Sequence, residues 1–164
     1  MRGTGRARRT AAPAYRQPRP ILLVFGGGVL GAAARAGLSL ALPVQDGGIP
    51  WAILIANLSG AFLLGLLLTA IAVHAVETPA RRELRLFAGT GVLGGFTTYS
   101  SLATGSATLI EGDPWLGAAY ALGTVVLGLA AAALGVWAGE LLTRGRVSRE
   151  GAPEGDASGS GGPR

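Results

Sequence analysis

Four long apolar stretches, separated by short polar interruptions, set the pattern of the chain: Ile21 to Leu42, Trp51 to Val73, about Leu84 to Ile110 and about Trp115 to Leu142. A helix needs about 20 such residues to cross the ~30 Å hydrocarbon layer, and each stretch qualifies. The interruptions carry turn and interface signals. Pro43 and the run Gln45-Asp46-Gly47-Gly48 follow the first stretch, Pro50 and Trp51 open the second, His74, Glu77 and Pro79 follow it, and Asp113-Pro114 precedes the fourth. The pattern predicts an all-α membrane protein with four transmembrane helices. The third differs from the rest, being glycine-rich and polar in its middle.

Composition supports this. Charged residues make up 14% of the 164, against about 25% in ordinary soluble domains, while 49% are hydrophobic and mean hydropathy is +0.46. The charges collect at the ends, which divides the chain into a basic tail at 1–19, a transmembrane domain at 20–142 and a second tail at 143–164, both tails expected to be disordered. The apolar run near the amino terminus is too long for a signal peptide and is followed by three more. There is no cysteine and a single histidine, His74, so thiol chemistry, disulfides and a histidine pair for zinc are excluded. Two matches to G-x-G-x-x-G, at Gly26 and at Gly89, fall inside predicted membrane helices, where no dinucleotide-binding βαβ unit can form. Catalysis lacks the side chains it needs.

Net charge is +5, from 14 arginines and no lysine against nine acids, and its placement points to a membrane, not to nucleic acid. Thirteen of the arginines lie in the amino-terminal tail, in the loop holding Arg81, Arg82 and Arg85, or in the carboxy-terminal tail; the loops around Asp46 and Asp113 hold none. By the positive-inside rule both termini are expected in the cytoplasm of a plasma-membrane protein, with the arginine-rich side against lipid headgroups.

Polar groups inside the spans carry the functional signal, because hydrocarbon offers them no partner. Arg35 is the only charge deep in a span. It can attract an anion, anchor backbone carbonyls or snorkel to an interface. Asn57 can donate its amide to an anion or tie two helices together. The run Gly94-Gly95-Phe96-Thr97-Thr98-Tyr99-Ser100-Ser101 lies at the centre of the third span. Its glycines weaken a helix by about 1 kcal/mol each, and its hydroxyls compete for backbone bonds. The expected result is a helix broken at mid-membrane that lines a cavity, against the alternative of a continuous helix with back-bonded hydroxyls. Tyr120 and Thr124 share a face of the fourth span, as a hydroxyl ladder or as ordinary helix partners. The pairs Gly27/Gly31, Gly91/Gly95 and Gly135/Gly139 are small-xxx-small motifs that bring helices close. Four helices leave little room for a wide pore, so a pathway is expected to require a second subunit.

These motifs, in order over roughly 21–142, resemble the fluoride channel family called Fluc or CrcB. The resemblance is carried by Gly27 to Arg35, by Asn57-Leu58-Ser59-Gly60-Ala61-Phe62, by Gly94 to Ser100, and by the Tyr120/Thr124 face. It implies a passive fluoride-selective channel that lowers cytoplasmic fluoride, built as an antiparallel dimer with two narrow pores. It also implies a structural, non-transported Na⁺ held by the backbone carbonyls of Gly94 and Thr97. By position, the family's anion-lining amide falls on Asn57, its first pore aromatic on Tyr99, its pore hydroxyl on Ser100 and its vestibule arginine on Arg35. Ring edges carry the positive side of the aromatic quadrupole, which suits a small, tightly hydrated anion.

The chain departs from the family where phenylalanine usually stands at Tyr99 and often again at Leu102, and where Ala103 replaces a common serine. Leucine has no quadrupole to offer an anion. A chain inserting in both orientations would have nearly balanced loop charges, which this one does not. Both features favour pairing with a related, oppositely oriented subunit over a homodimer. The competing class is a small multidrug-type proton-coupled exporter, also a four-helix protein, but that class needs a carboxylate within the first span and there is none here. A structural subunit with no pathway would leave the polar third span unexplained.

Overall fold

The computed structural model describes residues 18–72 and 78–150, with side chains to 144. The expectations for residues 1–17, for His74 and Glu77, and for the tail at 151–164 lie outside the described residues.

Six helical elements and a π-helical segment follow one another: α1 (Pro18–Ala41), α2 (Trp51–Ala72), α3 (Pro79–Leu84), the π segment (Arg85–Leu93), α4 (Gly94–Phe96), α5 (Tyr99–Gly112) and α6 (Pro114–Glu150). No strand occurs among the described residues. α3, the π segment and α4 form one arm, since the backbone stays right-handed helical at Leu84, Leu93 and Gly94. That arm and α5 are the two halves of the third span. α1, α2 and α6 up to Arg144 are long and apolar enough to cross a membrane uninterrupted.

Boundaries shift from expectation in two places. α1 begins at Pro18, so Arg19 is already helical and not in the tail. α6 runs to Glu150, past the expected limit at Leu142. Within this extension the Thr143 hydroxyl bonds back to the Gly139 carbonyl at 2.8 Å and Arg144 pairs with Glu140 one turn back at 3.5 Å, a pairing that supports the helix.

Large apolar side chains face outward along the middle of the long helices, including Leu22 (67% exposed) and Leu129 (74%), as lipid contact requires. Trp115 and Trp137 are both exposed, and the 22-step rise from one to the other along α6 spans about 33 Å, which brackets a hydrocarbon layer.

Inside, two helix pairs come together through glycine. α1 crosses the π segment and α4 where Gly27 and Gly31 face Gly91 and Gly95: a Cβ on Gly27 or Gly31 would overlap the carbonyl of Phe87 or Val92, and one on Gly95 the carbonyl of Gly28. α2 packs on α6 in the same way, with Gly65 against the Ala132 carbonyl and Gly135 against that of Phe62. All three predicted small-residue pairs are therefore close-approach surfaces within the chain. A smaller apolar cluster of Leu102, Leu109 and Tyr120, with Ile53 and Leu54, joins α5 and α6 to the start of α2.

Candidate functional site

The third span breaks at Thr97-Thr98, not at the paired glycines. Gly94, Gly95 and Phe96 remain helical, while Thr97 (φ −82°, ψ 153°) and Thr98 (φ −152°, ψ 121°) are extended. The glycines serve packing: Gly95 lies against α1 and Gly94 faces open space.

What opens the helix is a side chain 41 residues away. Asn57 accepts the Thr98 N–H on Oδ1 at 2.8 Å and donates Nδ2 to the Thr98 carbonyl at 3.1 Å, satisfying both polar groups of that extended residue. Gly60, one turn along α2, makes room for the break, since a Cβ there would overlap the Thr97 methyl. Thr98 in turn caps α5: its Oγ1 accepts the Ser101 N–H at 3.2 Å and lies 3.1 Å from Ser100 Oγ.

These two captures decide which carbonyls are freed. In a continuous α-helix the Thr98 N–H would bond the Gly94 carbonyl and the Ser101 N–H that of Thr97. Both donors are taken by side chains, so the Gly94 and Thr97 carbonyls lose these helical donors and receive no other turn, loop or cap hydrogen bond among the described residues. These are the two oxygens for which the sequence resemblance implies a cation. Such neutral oxygen donors suit a hard cation. Arg35 approaches the carbonyl between them in sequence, with Nε 3.4 Å from the Gly95 oxygen. Of its three possible roles, the structure displays the anchoring one. On the other side of the break, the N–H groups of Tyr99 and Ser100, first in α5, meet no acceptor among the described residues. The break thus presents carbonyl oxygens from one arm and amide protons from the other.

A cavity of about 360 Å³ gathers Asn57, Gly94, Thr97, Thr98, Tyr99 and Leu102. Tyr99 is 82% exposed on its rim. Leu102 touches this cavity but is 7% exposed and packs into the Tyr120 cluster, so it is a wall of the fold more than a lining group. Ser100 turns to a second, larger cavity of about 560 Å³ that also takes in Ser39, Asp46, Ser101, Thr104 and Thr108. Sequence reasoning missed Thr104 and Thr108; their i, i+4 spacing from Ser100 was the available signal. Tyr120 and Thr124 line neither cavity. Both are buried, the Thr124 hydroxyl bonds the Tyr120 carbonyl at 2.7 Å, and the Tyr120 hydroxyl lies 3.4 Å from the Pro50 carbonyl. Among the described residues there is no group of three or more His, Cys, Asp or Glu that could hold a metal ion, so any cation there would be held by neutral oxygens.

The profile of the family described as CrcB-like protein, Camphor Resistance (CrcB), matches residues 22–136, which takes in α1 through most of α6. The chain belongs to the CrcB family. Relatives in that family include a protein of Leifsonia xyli called fluoride-specific ion channel FluC 2, 45% identical over 131 residues, covering 79% of this chain and 90% of the relative. A Cutibacterium acnes protein called fluoride-specific ion channel FluC 1 is 43% identical over 113 residues, covering 67% of this chain and 79% of the relative. A Thermus thermophilus protein called fluoride-specific ion channel FluC is 44% identical over 117 residues, covering 70% and 90%. As a CrcB protein the chain is a membrane channel component and not an enzyme, and its polar break falls inside the matched region.

Proposed function

We propose that this chain forms a passive, fluoride-selective channel in the plasma membrane that lets fluoride leave the cell and so lowers its cytoplasmic concentration. The observation that carries the reading is the broken third span, whose free Tyr99 and Ser100 amides and neighbouring Asn57 offer donors inside a membrane-spanning fold. Fluoride gives up its hydration water only where several donors replace it at short range, and a preorganised break supplies them without rearrangement. Asn57 uses one Nδ2 proton on Thr98 and keeps a second for the pathway. Tyr99 adds a ring edge and a phenol at the rim.

The Gly94 and Thr97 carbonyls are the residues that would hold a structural Na⁺, shared between two chains across the exposed Gly94 face. When bound, that ion supplies fixed positive charge beside the anion path. Two subunits in opposite orientations complete the pores, and the arginine asymmetry favours a related partner over a second copy. Both termini face the cytoplasm in this arrangement.

The test is efflux from proteoliposomes holding fluoride or chloride, with Na⁺ or an organic cation outside and inside. The expected result is rapid fluoride release with no chloride release, without a proton gradient, from the chain co-purified with its partner, and a loss of release when Na⁺ is withdrawn. Proton-driven exchange of organic cations without fluoride flux would replace the channel by an exporter. Robust fluoride flux from the chain alone would replace the mixed dimer by a homodimer.

A further inference from the structure

At the arginine-rich end of the molecule, where α1 meets α3, lies a small cavity of about 100 Å³ whose lining combines Arg19, Arg82 and Glu83 with Leu23 and Leu86. Arg19 is satisfied: its Nη2 lies 2.9 Å from Glu83 Oε2. Arg82 is not. It is half-buried, yet among the described residues its guanidinium makes no hydrogen bond or ion pair. Two cations and one carboxylate leave one unit of positive charge facing a cavity with an apolar floor.

We propose that this pocket binds the phosphodiester headgroup of an anionic phospholipid, with its acyl chains lying over Leu23 and Leu86. The charge matches, since a phosphodiester carries one negative charge and accepts the forked donors of a guanidinium. The depth matches too. Arg19 sits in the first turn of the first span and α3 directly precedes the π segment, so both stand at headgroup level. The bound lipid bridges α1 and α3, adding to the Arg19–Glu83 pair that joins them, and so steadies the arm that ends at the Thr97-Thr98 break. Nothing in this depends on which ion the protein conducts.

The test is the thermal unfolding midpoint of the full-length chain in neutral detergent with added phosphatidylglycerol, phosphatidylcholine or inorganic phosphate. Phosphatidylglycerol is expected to raise the midpoint by about 5 °C more than phosphatidylcholine at saturating lipid. Arg82→Gln is expected to remove most of that difference while leaving the lipid-free midpoint unchanged, because the side chain has no hydrogen-bond or ion-pair partner among the described residues; Arg82→Lys keeps part of it. Should the glutamine variant fail to fold, Arg82→Lys against wild type gives the same reading through its reduced shift. An equal response in wild type and Arg82 variants, or equal effects of the two lipids, overturns the site. A full shift with inorganic phosphate alone makes it a free-anion site and overturns the lipid.

Discussion

Asn57→Asp lowers fluoride efflux by about 100-fold or more. The substitution is nearly isosteric and keeps Oδ1 as acceptor for the Thr98 N–H, so the first of the two bonds across the break survives. The second does not. A carboxylate has no proton to donate, and its other oxygen is placed about where Nδ2 stood, against the Thr98 carbonyl. Leaving that carbonyl unpaired in a water-poor interior costs about 1–3 kcal/mol, and a fixed negative charge then stands beside the path of an anion. At about 4 Å and an effective dielectric of about 20, a carboxylate repels a passing anion by about 4 kcal/mol, and since each 1.36 kcal/mol of barrier is a factor of ten, the repulsion alone accounts for two decades. Asn57→Ala separates the two effects: it removes both bonds and adds no charge, so its loss of flux comes with a lower unfolding midpoint. Unchanged flux in Asn57→Asp, measured by fluoride electrode on proteoliposomes, takes Asn57 out of the pathway.

Gly31→Ala costs the protein its fold, although the change adds one methyl group. At Gly31 a Cβ would overlap the Val92 carbonyl and stand 2.8 Å from the Phe96 nitrogen, and both are backbone atoms of the arm that ends at the break. Backbone cannot turn aside as a flexible side chain does, so α1 must move away from the whole π segment. Overpacking of this kind costs about 1–3 kcal/mol even where side chains can yield. Gly37→Ala, on the same helix, is the matched control: nothing lies within 4 Å of its added Cβ, and alanine favours the helix by about 1 kcal/mol over glycine. Size-exclusion profiles after a heating series should show Gly31→Ala lost at temperatures that wild type survives and Gly37→Ala at least as stable as wild type. Equal profiles would mean that the helix contact is looser than the structure has it.

Much of the architecture was legible in the sequence because hydropathy acts over whole segments: the spans come from run length, and the close helix contacts from glycines spaced four apart. The break was legible in kind but not in place. Adjacent glycines weaken a helix locally, yet Gly94 and Gly95 stay helical because α1 packs on Gly95. The extended residues are Thr97 and Thr98, because Asn57 reaches across from α2. No local pattern encodes a partner 41 residues away. The π segment was hidden for a related reason, since glycine content weakens the helix without specifying which carbonyl each N–H selects. Leu102 stands where the resemblance puts a pore aromatic, and the sequence leaves Tyr120 open between a ladder hydroxyl and an ordinary helix partner; the structure packs both into one apolar cluster. Their burial depends on how α5 and α6 meet, which spacing within either helix does not fix.

A density map of the assembled channel in Na⁺, resolving the third-span crossing, tests the central claim most directly. The account predicts an ion peak bounded by the Gly94 and Thr97 carbonyls of two chains, with the Thr98 N–H on Asn57. A third span running unbroken through Thr97 and Thr98, with the Thr98 N–H returned to the Gly94 carbonyl and no ion beside it, would contradict it.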